Sequence, residues 1–174
     1  GFYDWNSYIA IQNTGSAATP IKVSFIDRRG AEYGPYDHTL PKYGNIMLYL
    51  EDIADIPAMF IGGAKIWAED GTTPLAVTAA FYNTGASFET SQIHAYNGAT
   101  MGSDVLYAPY LVRNYYGYNS GISIQNVGDL GTSFKIVFTF NGVDYTYQHP
   151  SKLRAGGIKD LYLPDVVELD PVDG

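Results

Sequence analysis

The sequence predicts an all-β fold, an antiparallel β-sandwich. Three observations predict it. Apolar and polar residues alternate with period two, as in Tyr8-Ile-Ala-Ile-Gln12 and Ile21-Lys-Val-Ser-Phe25. Turn-forming pairs punctuate these runs: Arg29-Gly30, Asp70-Gly71, Asn97-Gly98 and Asn141-Gly142. The stretch Asn6-Ser-Tyr-Ile-Ala-Ile-Gln-Asn-Thr-Gly15 returns as Asn119-Ser-Gly-Ile-Ser-Ile-Gln-Asn-Val-Gly128. A strand pattern that recurs with its turn is a structural unit used again.

Taken in order, the strands are expected around Tyr8–Gln12, Ile21–Phe25, Glu32–Leu40, Asn45–Leu50, Ala64–Glu69, Leu75–Tyr82 and Ser91–Tyr96. That makes six or seven, the number expected of an immunoglobulin-like sandwich. Leu50–Phe60 carries the one helical signal, with Asp52 placed to cap and Pro57 limiting its length. A short helical turn bridging two sheets fits it better than a full helix. Its counterpart, Leu163–Pro171, has prolines at 164 and 171 and is expected to be less helical still. Further on, Phe138-Thr-Phe140, Asn141-Gly142 and Val143-Asp-Tyr-Thr-Tyr147 read as a hairpin with a two-residue turn. Tyr110-Leu-Val112 is either linker or a strand entering the second unit.

The repeat offset is 113 positions (119 − 6), and it also takes Lys22 to Lys135, Phe25 to Phe138, Leu40 to Leu153, Gly44 to Gly157 and Asp52 to Asp165. Residues 1–113 are therefore expected to form a complete sandwich, and 114–174 part of a second. The partial copy lacks equivalents of the last three strands. A half sandwich as apolar as Phe134–Phe140 should not stand bare in water, with its strand edges unpaired. Three completions are open: further sequence, packing on the first unit, or strands supplied by another subunit.

Composition excludes several classes. The net charge of −8 provides no basic stripe for nucleic acid. No apolar run approaches the length of a membrane-spanning helix. There is no cysteine, so disulfides and thiolate metal sites are excluded. Sixteen tyrosines, few lysines and abundant Gly, Ser, Thr and Asn point to an exported surface protein. No signal peptide opens the chain, which suits a mature product or an internal fragment.

No constellation marks catalysis. His38, His94 and His149 lack metal-ligand spacing, and Gly102-Ser103-Asp104 is not a nucleophile elbow. Nothing singles out a carboxylate pair among 18 acids. No cofactor is expected. The acidic groups Glu51-Asp52/Asp55 and Asp165/Glu168/Asp170 are oxygen-rich as calcium loops are, but lack that spacing and read as solvated loops. Asn13-Thr-Gly15, Asn83-Thr-Gly85 and Asn126-Val-Gly128 read as turns in which Asn bonds nearby backbone. The aromatic residues Tyr107, Tyr110, Tyr115, Tyr116 and Tyr118 lie at the junction between units, and Phe2, Tyr3 and Trp5 take the matching N-terminal place. These eight are the candidate interface, for packing between units or for stacking on a glycan.

In order, Trp5-Asn-Ser, Gln12-Asn-Thr-Gly15, Leu40-Pro-Lys-Tyr-Gly44, Gly62-Gly-Ala64, Pro74-Leu-Ala-Val77, Tyr96-Asn-Gly98 and Tyr107-Ala-Pro109 resemble the tandem extracellular immunoglobulin-like β-sandwich repeats of bacterial and archaeal cell-surface proteins. The likeness covers nearly the whole chain. Each motif is weak and their order carries it. The second copy departs by placing Arg154 where the first has Pro41. The resemblance implies a non-enzymatic stalk, coat or filament module at the cell surface, partnered by itself. An adhesin or carbohydrate-binding module is the alternative.

Overall fold

The computed structural model describes residues 5–83, 92–108 and 110–172. Over these residues the chain is all-β, with antiparallel pairing throughout and only short 3-10 turns beside the strands. No helix is long and apolar enough to cross a membrane. The chain divides into two compact units, Gly1–Asp27 with Ala31–Thr100, and Arg28–Gly30 with Met101–Gly174.

The first unit holds β1 (Trp5–Asn13), β2 (Thr19–Asp27), β3 (Glu32–Leu40), β4 (Asn45–Tyr49), β5 (Gly62–Ala68), β6 (Leu75–Asn83) and β7 (Gln92–Asn97). They form one sheet of order β4-β1-β6-β7 and another of order β3-β2-β5. The all-β sandwich is thus as expected, with seven strands. The strand order is not that of immunoglobulin constant domains, whose first strand pairs with the second. Here β1 and β2 lie in different sheets, and each is central in its own.

Period-two alternation explains the core. Ile9 and Ile11 of β1 face inward beside Leu48 and Ile46 of β4, and beside Ala79 and Val77 of β6. Ile21, Val23 and Phe25 of β2 face them from the other sheet, beside Ala68, Ile66 and Ala64 of β5. Each of these buried side chains contributes roughly 1.5–3 kcal/mol. Gly62 opens β5 because a Cβ there would meet the Ile26 carbonyl and the Phe60 ring. The short helical turn expected after β4 is a 3-10 turn at Leu50–Asp52.

The second unit holds β8 (Gly121–Gln125), β9 (Lys135–Phe140), β10 (Val143–Gln148) and β11 (Ile158–Tyr162). β11 pairs with β8, and β10 with β9. The offset of 113 seen in the sequence also relates the pairings. Gln12 opposite Asn45 becomes Gln125 opposite Ile158, and Ile9 opposite Leu48 becomes Ile122 opposite Leu161. Thr19 opposite Leu40 becomes the bridge of Thr132 to Leu153.

Two departures have local causes. Lys22 faces Asp37, but Lys135 faces Gln148 rather than residue 150. The Asn141-Gly142 turn, with φ of 49° and 79°, closes a two-residue hairpin that slides this register by two. The counterpart of the first 3-10 turn is more helical than expected, not less: it forms 3-10 helices at Leu163–Asp165 and Val167–Val172. Pro164 sits in the first turn, where a missing N–H breaks no helical bond. Leu163, Val166 and Leu169 are driven into the core formed with Phe138, Ile122, Ile136 and Leu111.

Candidate assembly surface

Each unit is pinned by one buried asparagine. Asn13 Nδ2 donates to the carbonyls of Ala17 (2.7 Å) and Pro41 (3.0 Å), and its Oδ1 accepts from Gly15 N (2.8 Å). Asn126 Nδ2 donates to Leu130 (2.8 Å) and Arg154 (3.0 Å), and its Oδ1 accepts from Gly128 N (3.0 Å). These Asn-x-Gly sites build turns, as their sequence suggests. Arg154 replaces Pro41 without loss because the backbone carbonyl, not the side chain, is used. Of the third site, Gly85 lies outside the described residues.

Phe2 and Tyr3 of the candidate interface lie outside the described residues. Trp5 contacts Phe81 (5.4 Å between centroids) and His94 (5.8 Å), and Phe81 stacks on His94 at 5.0 Å. Trp5 thus has ring partners inside the first unit. Tyr107, Tyr110, Tyr115, Tyr116 and Tyr118 are exposed. Tyr115 and Tyr118 exchange backbone hydrogen bonds (3.2 and 2.8 Å) across a tight turn at Tyr116 (φ 48°) and Gly117 (φ 82°). That turn gathers Tyr115, Tyr116 and Tyr118, with the first two rings edge to face at 4.7 Å.

Tyr110–Val112 is not a strand; Ser120 N donates to the Val112 carbonyl at 2.8 Å. Beside it, the Arg113 guanidinium donates to the carbonyls of Leu163 (3.2 Å) and Leu169 (2.8 Å) and pairs with Asp170 (2.8 Å). Arg113 precedes the start of the repeated stretch, so no counterpart flagged it. A row of tyrosines was also missed. Tyr8 lies 5.6 Å from Tyr49 and 6.2 Å from Tyr82, on the face of β1 opposite Ile9 and Ile11. Tyr49 lies directly opposite Tyr8 across β4, and only knowledge of strand pairing reveals the row.

The open strand edges are the second unit's main feature. In the first unit β1 is flanked by β4 and β6, and β2 by β3 and β5. Among the described residues, β8 has only β11 and β9 only β10. The difference shows in burial: Val137 is 46% exposed, whereas its counterpart Ser24 is 0% exposed. Phe140 and Val143 are exposed as well. Neither β8 nor β9 contains proline, and their one charged residue is Lys135. Such edges are templates for another strand.

Among the described residues no three His, Asp or Glu side chains converge to hold a metal ion, and Asp170 of the second acidic group is engaged by Arg113. His149 stacks on Phe134 at 4.9 Å and meets the Tyr147 hydroxyl at 3.1 Å. Burial, then the nearby Glu168 charge, pushes the Tyr147 pKa up. Asp70 is held down at about 2 by bonds from the Thr73 hydroxyl and backbone and the Thr72 backbone.

These features define a β-sandwich protein whose second unit carries the first unit's opening strands, two of them with an edge unpaired among the described residues. Comparison with protein-family models, curated proteins and solved structures gave no match.

Proposed function

We propose that this chain is a non-enzymatic structural module of an exported surface protein or extracellular filament, working by self-association. The observation that carries the reading is that β8 and β9 each have only one neighbouring strand among the described residues, beside exposed Val137, Phe140 and Val143. Pairing such edges satisfies backbone donors and acceptors and covers apolar surface in one step. The polar, tyrosine-rich composition supports an extracellular setting. Sedimentation equilibrium over a wide concentration range tests the reading: association that weakens on dilution supports it, and a monomer at every concentration refutes it.

The second reading is a glycan-binding module. The exposed Tyr115-Tyr116-Gly117-Tyr118 turn and the Tyr8–Tyr49–Tyr82 row support it, since tyrosine faces stack on sugar rings. An oligosaccharide that changes tyrosine fluorescence saturably would favour this reading over assembly.

A further inference from the structure

The outward face of the β4-β1-β6-β7 sheet carries a surface of a different kind. These four strands contain no lysine, arginine, aspartate or glutamate. Tyr8 lies directly opposite Tyr49 on β4 and opposite Ala80 on β6, and Tyr82 follows Ala80 on the same face. The rings run in a row, Tyr49, Tyr8, Tyr82, with centroids 5.6 and 6.2 Å apart. Ala80 is 2% exposed although it points outward, so its larger neighbours lean across it. A ring lying along a sheet turns a face to solvent.

Two carboxylates border the row. Tyr49 leads straight into the 3-10 turn Leu50–Asp52, whose Glu51 and Asp52 are exposed. Burial first, then the Glu51 charge, with Tyr49, Asp52 and Tyr8 after it, pushes the Tyr82 pKa up. Both carboxylates therefore act on the Tyr82 hydroxyl. Among the described residues neither is in a salt bridge. The fold itself does not require this set. Gly121 stands where Tyr8 does and Pro164 where Glu51 does, yet β8 pairs with β11 in the register of β1 with β4.

We infer that this face binds a glycan with free amino groups, its sugar rings stacked on Tyr49, Tyr8 and Tyr82 and its ammonium groups held beside Glu51 and Asp52. This rests on the glycan-binding reading and is independent of assembly through β8 and β9. The spacing of the rings is close to the length of one sugar residue, so successive sugars meet successive tyrosines. The C–H face of a sugar is apolar and stacks on tyrosine. An ammonium group is drawn both to the tyrosine ring face and to the carboxylates, whereas an acidic sugar is repelled. Asn6, opposite Tyr82, and the Thr78–Asn97 pair offer hydrogen bonds to sugar hydroxyls.

Calorimetric titration of the intact chain with a β-1,4-linked glucosamine hexamer, its amines protonated, tests the inference. The fully N-acetylated hexamer has the same sugar backbone and no charge. The amine form should bind about ten-fold more tightly than the acetylated form. Glu51→Gln with Asp52→Asn, at exposed positions, should remove most of that difference. Asp165→Asn with Glu168→Gln, an equal charge change in the second unit, should leave it in place. Tyr8→Ala, with circular dichroism unchanged, should weaken both forms about ten-fold. Equal affinity for the two hexamers overturns the amine assignment and leaves glycan binding standing. Equal weakening by the two paired charge substitutions reduces the effect to net charge and overturns the site. Binding of neither hexamer overturns the inference, and another oligosaccharide that changes tyrosine fluorescence saturably would then keep the glycan reading.

Discussion

Asn13 and Asn126, 113 positions apart, hold equivalent hydrogen bonds, each tying its own turn to the turn that follows the third strand of its unit. Both are buried, so alanine leaves carbonyls and one N–H without partners. Asn13→Ala should cost about 3 kcal/mol. The two tryptophans, Trp5 and Trp67, lie in the first unit and report on it. In urea titrations Asn13→Ala should move the tryptophan transition. Asn126→Ala should leave that transition in place and lower amide protection in β8 and β11.

Asp70 gives a pH prediction with a definite sign. Its folded pKa of about 2 lies below the ordinary 3.8. A depressed carboxylate pKa adds stability that is present above about 3.8 and is lost as pH falls through about 2. Carboxyl-carbon NMR titration should place Asp70 near 2, and Thr73→Val should move it up toward the ordinary value. An unchanged value in the variant would contradict the hydrogen-bond assignment.

Ser24 occupies the middle of β2, fully buried, and its hydroxyl has no hydrogen-bond partner among the described residues. The second unit has Val137 at the equivalent place. Ser24→Ala removes a desolvated polar group at little packing cost, so thermal unfolding should stay constant or rise slightly. A drop of several degrees would show that the hydroxyl holds a bound water.

Arg113 holds the last 3-10 segments of the second unit. Arg113→Met keeps much of the side-chain volume and removes the bonds to Leu163, Leu169 and Asp170. The loss should be about 2 kcal/mol of local stability. Hydrogen exchange at the Val166 and Leu169 amides, which bond to Leu163 and Val166 carbonyls, should quicken roughly thirty-fold.

Much of the fold was legible because period-two alternation and turn residues act locally. Glu32–Leu40 was located to the residue, and the Asn141-Gly142 hairpin fell where its turn chemistry placed it. The repeat adds to both signals, since one offset relates the β1–β4 pairing of the first unit to the β8–β11 pairing of the second. Contacts that depend on tertiary pairing were not legible. Arg113 reaches Leu169 across 56 positions, and Tyr8 meets Tyr49 only because β1 pairs with β4. The prolines at 164 and 171 predict little helix after Leu163, yet Pro164 sits in the first turn, where a helix tolerates it. Of the candidate interface, the order of aromatics in the sequence located the Tyr115–Tyr118 cluster, but not the commitment of Trp5 to Phe81 and His94.

The central claim is that association fills the β8 and β9 edges, which have no second neighbour among the described residues. Amide hydrogen exchange at Gly121–Gln125 and Lys135–Phe140, followed as a function of protein concentration, tests it most directly. Protection of the outward-facing amides should rise with concentration, while protection in β1 and β2 stays constant. Equal protection of β8 and β9 at the lowest and highest concentrations would contradict the account.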